Sequence, residues 1–153
     1  MGHLKVNEKA PDFNISDYNG NLFKLSDFKK KSNVLIVLNR GFMWPFCQKH
    51  MMQLHQDYQK FLDKDTKIVV IGPEKPEKFE NYFNENEFKF YGLPDPNKTV
   101  LKLYGQEIKL LKLGRMPAEM LIDKEGVLRY MHYGSSMKDI PENDEILRLI
   151  DKL

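Results

Sequence analysis

Cysteine is almost absent from this chain: Cys47 is the only one in 153 residues. A single thiol excludes an intramolecular disulfide and a cysteine-rich zinc site. It points to a reducing, cytoplasmic compartment. Long hydrophobic runs are missing too. Nothing approaches the roughly 20 apolar residues of a membrane-spanning helix, and the opening Met1-Gly2-His3-Leu4-Lys5 carries no signal-peptide core. No membrane partner is expected. Charge of one sign is also lacking: the formal net charge is +2. Lysines are interleaved with acids, and the run Lys29-Lys30-Lys31 reads as a solvated loop. A nucleic-acid binder would show a basic stripe, so no nucleic-acid partner is expected.

What the chain does have is the means to build a core. Hydrophobic residues make up 41% and aromatics 12%. A chain of this size buries roughly 70% of its unfolded surface, so it needs no disulfide or metal staple. Its length suits one domain spanning residues 1–153. There is no internal repeat, low-complexity stretch or linker.

The hydrophobic pattern alternates between strands and helices. Phe13-Asn14-Ile15 and Leu22-Phe23-Lys24-Leu25 flank Asn19-Gly20, a strong hairpin signal. Asn33–Leu38 and Lys67–Ile71 are uninterrupted, β-branched runs of the kind found in strands buried on both faces. Between them, Cys47, Met51, Leu54, Tyr58 and Phe61 fall at alternating steps of four and three, an amphipathic helical stripe. Pro45 stands just ahead of it, where proline is welcome. The unit reads as βαβ. A second helix is expected near Glu77–Asn84 and a short one at Lys98–Tyr104. Glu119–Ile122 and Val127–His132 flank Asp123-Lys124-Glu125-Gly126 as a late hairpin, and a last helix is expected over about Asn143–Lys152. The fold class is therefore α/β: a mixed sheet with helices on both faces and an N-terminal β-hairpin.

The segment Arg40-Gly41-Phe42-Met43-Trp44-Pro45-Phe46-Cys47 joins the first central strand to the helix. Cys47 then lies in the first helical turn, where unpaired N–H groups and the positive end of the dipole favour a thiolate. The thiolate is the nucleophilic form. Open α/β sheets also place ligand sites beyond the carboxyl ends of their strands. The competing reading is a small buried hydrophobe that opens the apolar stripe.

This segment resembles the active-site loop of the alkyl hydroperoxide reductase/thiol-specific antioxidant group, the peroxiredoxins and their redoxin relatives. The likeness covers nearly the whole chain. It extends to Lys9-Ala10-Pro11-Asp12-Phe13, to Leu22-Phe23-Lys24-Leu25-Ser26-Asp27-Phe28, and to Met116-Pro117-Ala118-Glu119-Met120-Leu121-Ile122-Asp123-Lys124-Glu125-Gly126. The resemblance implies a thioredoxin-like fold with Cys47 as the peroxidatic cysteine. Two departures stand out. Arg40 takes the place of a proline, and Trp44 that of a threonine whose hydroxyl bonds peroxide and thiolate in the family. The Cys-Pro-x-Cys of thioredoxin-like relatives is also incomplete: Trp44-Pro45-Phe46-Cys47 lacks the first thiol, so an attacking thiol has no neighbouring partner. The loop is similar to a redoxin subgroup with the pattern R-G-x-x-x-P-[FY]-C.

The resemblance implies further roles. Arg40, and Arg115 as a displaced candidate, would depress the Cys47 pKa and hold peroxide, a charge-assisted interaction contributing about 1.5–3 kcal/mol. Pro117 would be a cis-proline facing the cysteine loop. His50, one helical turn after Cys47, is either an acid–base partner of the thiol or a helix-surface histidine. Phe42, Met43, Trp44, Phe46 and Met116 are either core or a docking patch. His55 and His132 fit no metal pattern, and no cofactor or metal is implied. The expected activity is peroxide reduction through Cys47, resolved by an external thiol, either a thioredoxin-like protein or a small thiol, in a chain that resembles frequent homodimer formers. The alternatives are a monothiol disulfide-exchange protein and a non-enzymatic binding module of the same fold.

Overall fold

The computed structural model describes residues 4–109 and 114–153. The opening residues Met1–His3, read above for a leader, lie outside them. The chain starts with the expected hairpin, β1 (Asn14–Ser16) against β2 (Leu22–Lys24). Asp17 closes its turn: Oδ1 accepts the N–H groups of Asn19 and Asn21, both at 2.9 Å. Gly20 supplies the positive φ (+85°) that a side chain would resist. A short 3-10 turn, Leu25–Phe28, leads into β3 (Asn33–Leu38), every residue of which is buried.

After a six-residue loop comes α1 (Pro45–Gln56), followed by α2 (Tyr58–Leu62), β4 (Thr66–Gly72) and α3 (Pro76–Asn86). Then follow β5 (Tyr91–Pro94), α4 (Thr99–Leu103), β6 (Ile108–Lys109) and β7 (Gly114–Arg115). The chain finishes with β8 (Ala118–Ile122), β9 (Leu128–Tyr133) and α5 (Asn143–Ile150). The main sheet has the order β5-β4-β3-β8-β9. β5, β4 and β3 run parallel, and β8 and β9 are added antiparallel. The mixed sheet, the helices on both faces and the N-terminal hairpin are as the sequence led us to expect.

Strand alternation divides the core in two. Val34, Ile36 and Leu38 face a layer containing Phe13, Phe23, Leu101 and Tyr104. Leu35 and Val37 face Met51 and Leu54 of α1, Phe79 and Phe83 of α3, and Ile146 and Ile150 of α5. Each fully buried Leu, Ile or Phe contributes roughly 1.5–3 kcal/mol, so the two layers anchor β3 from both sides. The loop that leaves its carboxyl end inherits that rigidity.

One expectation needs correcting. The single helix carrying the stripe from Cys47 to Phe61 is two helices, because Asp57 leaves helical geometry (φ −97°, ψ 8°). The amide of Asn143 at the start of α5 ties this break down, donating to Gln53 O and Asp57 Oδ2, both at 3.0 Å. The stripe itself persists: Met51, Leu54 and Phe61 are fully buried. Edge strand β5 was not foreseen. Its segment contains Gly92 and Pro94, which weaken any strand signal. Gly92 is needed where it stands, since a Cβ there would lie 2.7 Å from the Phe83 ring.

Candidate active site

The loop from Asn39 to Trp44 is fastened at nearly every residue. Asn39 Oδ1 accepts the Gly41 N–H at 2.6 Å, and Asn39 O accepts the Gln106 amide at 3.2 Å. The Phe42 N–H donates to Glu74 Oε2 at 2.7 Å, and Gln48 Nε2 donates to Phe42 O at 2.7 Å. Phe42 stacks on Tyr82 with ring centres 4.4 Å apart and meets Phe79 edge-on. Pro45 at the first helical position and Trp44 in extended geometry before it start α1.

This frame puts Cys47 at the third position of α1 with only 2% of its surface exposed. Burial pushes the Cys47 thiol up from its usual pKa. The hydrogen-bonding backbone groups of Arg40 and Gly41 and the Arg40 charge oppose that rise, while the Glu74 carboxylate reinforces it. The sequence reading expected a depressed thiol. Desolvation is the larger effect because the loop and the sheet close over the sulfur.

Arg40 acts on the thiol through a backbone hydrogen bond and its charge. It is buried, its guanidinium lies 4.2 Å above the centre of the Trp44 ring, and its Nε donates to the Arg115 carbonyl at 2.6 Å. Arg115 contributes that carbonyl, while its guanidinium turns to Gln106 Oε1 at 3.3 Å. Partial burial lowers its pKa, and nearby Asp95 counters this. Its charge is thus directed toward Gln106 and Asp95. The aromatic set divides: Phe42 and Met116 are buried, Trp44 is half-buried, and Met43 and Phe46 are exposed along with Pro45.

Pro117 lines the small cavity beside Cys47. Its peptide bond is trans, since no described bond is cis. The correction follows the intrinsic preference, because even before proline the trans form is favoured by about 0.5–1 kcal/mol. The surrounding backbone is satisfied in that form: Met116 N–H donates to Glu107 O at 2.9 Å, and Gly134 N–H donates to Pro117 O at 2.8 Å.

His50 is not a surface histidine. It is 4% exposed, and its Nε2 lies 3.3 Å from Glu119 Oε1 on β8. Sequence reasoning missed Glu119, yet a signal existed: it is the one charged residue in the strand Ala-Glu-Met-Leu-Ile. His50 likewise falls on the stripe between Cys47 and Leu54. Cys47, His50, Pro117, Glu119 and Asp139 bound a cavity of about 10 Å³. Next to it, His132 Nε2 lies 2.9 Å from Asp139 Oδ1. Among the described residues no group of three or more His, Cys, Asp or Glu side chains is placed to hold a metal ion. Nor is any described helix long and apolar enough to cross a membrane.

Comparison with known proteins agrees with the fold. Thiol-disulfide oxidoreductase ResA of Bacillus thuringiensis is 25% identical over 138 residues, covering 89% of this chain and 74% of that protein. A putative peroxiredoxin of Mycobacterium tuberculosis is 24% identical over 139 residues and covers 85% of each chain. The crystal structure of peroxidoxin BcpB from Mycobacterium tuberculosis superposes with a TM-score of 0.85 at 20% identity, covering 99% of both chains. The model of the AhpC/TSA family matches residues 6–131, and the chain belongs to that family.

Proposed function

We propose that this protein reduces peroxides through Cys47 as a one-cysteine thiol peroxidase, with an external thiol completing the cycle. The observation that carries the reading is the size of the space at the sulfur. Cys47 is 2% exposed and borders a cavity of about 10 Å³. Such a space admits a species near the size of water, which favours a small electrophile such as hydrogen peroxide over a bulky disulfide. Against the rise that burial imposes on the thiol, the backbone groups of Arg40 and Gly41 and the Arg40 charge favour the thiolate.

The chemistry is a displacement. The thiolate attacks one peroxide oxygen, the O–O bond breaks, and water or an alcohol leaves after taking up a proton. The sulfur becomes a sulfenic acid. Since Cys47 is the only cysteine, an external thiol must condense with it and release water. A second external thiol then frees Cys47 and leaves as the other half of a disulfide. Arg40 and Cys47 are the residues assigned to this step, with Trp44, Pro45, Phe46 and Pro117 shaping the loop around it. Arg115 acts through its backbone carbonyl, by anchoring Arg40.

A second reading, monothiol disulfide exchange, is favoured by Trp44, which stands where the family resemblance places a peroxide-binding hydroxyl. It shares the thiolate but requires the loop to open to a larger partner. The test compares hydrogen peroxide with glutathione disulfide as oxidant, following the intact mass of the native protein and of Cys47→Ser. Faster gain of one oxygen than of a glutathionyl group, both lost in Cys47→Ser, supports peroxide reduction. The reverse order supports exchange.

A further inference from the structure

The buried pair His50 and Glu119 has no part in the chemistry above. Their side chains are 4% and 2% exposed. Among the described residues, neither His50 Nε2 nor either Glu119 oxygen has an aligned hydrogen-bond partner, although the two approach to 3.3 Å. A buried carboxylate held this way is costly, and a well-packed apolar pair at the same places would often be at least as stable. Packing therefore does not account for it.

Position does. Cys47 and His50 sit one turn apart on α1, which brings their side chains to the same helix face. Both border the cavity of about 10 Å³ that Glu119 and Asp139 also line, a volume at the lower bound for one water. Glu119 is the direct cross-strand partner of His132 on β9, so the two share a face of the sheet. His132 Nε2 lies 2.9 Å from Asp139 Oδ1. These two are 33% and 34% exposed, so the row of polar groups that begins at the buried sulfur reaches solvent. Ser135 holds Asp139 in place, donating its N–H at 2.8 Å and its hydroxyl at 3.0 Å to Oδ2. The titratable groups facing the pair are Cys47 on α1, Tyr130 and His132 on β9, Asp139 before α5 and, through its hydrogen bond to Tyr130, Glu145 on α5.

We propose that Glu119 is a positioning residue that holds His50 as the proton acceptor and donor for Cys47, with Asp139 and His132 as the outlet to solvent. The proposal rests on Cys47 being the nucleophile. As the sulfur attacks, its S–H bond breaks and the proton passes to the His50 imidazole, directly or across one water in the cavity. The Glu119 carboxylate balances the imidazolium. When hydroxide, alkoxide or thiolate departs from the electrophile, His50 returns the proton to it and is again neutral. The electrophile is the only oxidant required.

The test is the rate of Cys47 oxidation by hydrogen peroxide on the full chain from pH 5 to 9, read as the gain of one oxygen in the intact mass, for the wild type, Glu119→Gln, Glu119→Asp and His50→Gln. The wild type is expected to show an inflection below that of the thiol itself. Glu119→Gln and His50→Gln should lose it, with the rate at pH 6 falling about tenfold, a shift of one pH unit, and the loss narrowing as pH rises toward 9. Glu119→Asp should restore part of the loss. Thermal unfolding establishes which variants fold. Should Glu119→Gln not fold, Glu119→Asp and His50→Gln carry the comparison, and both must depart from the wild-type pH profile. Superimposable pH profiles in folded variants would overturn the relay alone. A wild-type Cys47 that resists the reagent at every pH overturns both the relay and the nucleophile reading.

Discussion

Arg40 lies 4.2 Å above the Trp44 ring while its Nε donates to the carbonyl of Arg115 at 2.6 Å, so one cation ties the start of the cysteine loop to its end and to the strand before β8. Its charge is among the influences that lower the Cys47 pKa. Arg40→Leu should therefore raise the thiol pKa further and slow Cys47 oxidation at pH 7, by roughly tenfold for each unit gained. Arg40→Lys should lie between the two, since an ammonium keeps the charge but loses the planar stacking and the guanidinium fork. Ultraviolet titration of the thiolate in each variant checks the order.

Gly41 is the steric pivot of the same loop. Its φ is +151°, and a Cβ there would lie 3.0 Å from Glu74 Oε2 and 3.2 Å from Trp44 Cδ1. Gly41→Ala should cost about 1–3 kcal/mol of stability through this strain. It should also slow Cys47 oxidation, because a Gly41 backbone group helps hold the sulfur. Urea unfolding gives the first quantity, and a midpoint equal to that of the wild type would refute the steric account.

The β8–β9 turn predicts an acid limb. Burial would raise the Asp123 pKa, but hydrogen bonds from Arg129, Val127 and Glu125 outweigh it and hold the carboxyl below its ordinary value. A depressed folded-state pKa gives stability that is present above the unfolded-state pKa, about 3.9, and lost as pH falls through the folded value. Asp123→Asn should thus be less stable than the wild type at pH 6, and the gap should close below about pH 4. Unfolding midpoints at both pH values test this, and a gap that persists undiminished in acid would contradict it.

The fold was largely legible because its strongest signals are periodic. The β-branched runs became β3 and β4, and Asn19-Gly20 and Asp123–Gly126 became hairpin turns. What escaped notice was decided by tertiary contact. The break at Asp57 depends on Asn143, 86 residues away in sequence. β5 depends on the Phe83 ring packing over Gly92. At the site, Cys47, Arg40 and Pro117 were singled out from the loop and its resemblance, Pro117 with the wrong peptide isomer. Arg115 could not, since nothing in a sequence says that its carbonyl rather than its guanidinium meets Arg40. His50 stands on the apolar stripe between Cys47 and Leu54, which signals burial, but a buried histidine needs an opposing polar partner that the sequence does not name. Glu119 supplies it only once β8 lies against α1.

The rate of Cys47 oxidation by hydrogen peroxide from pH 5 to 9, followed by intact mass, tests the central claim most directly. The account predicts gain of one oxygen at Cys47, faster than a free thiol at the same pH, slowed in Arg40→Leu and abolished in Cys47→Ser. A rate no greater than that of a free thiol across the range would contradict it.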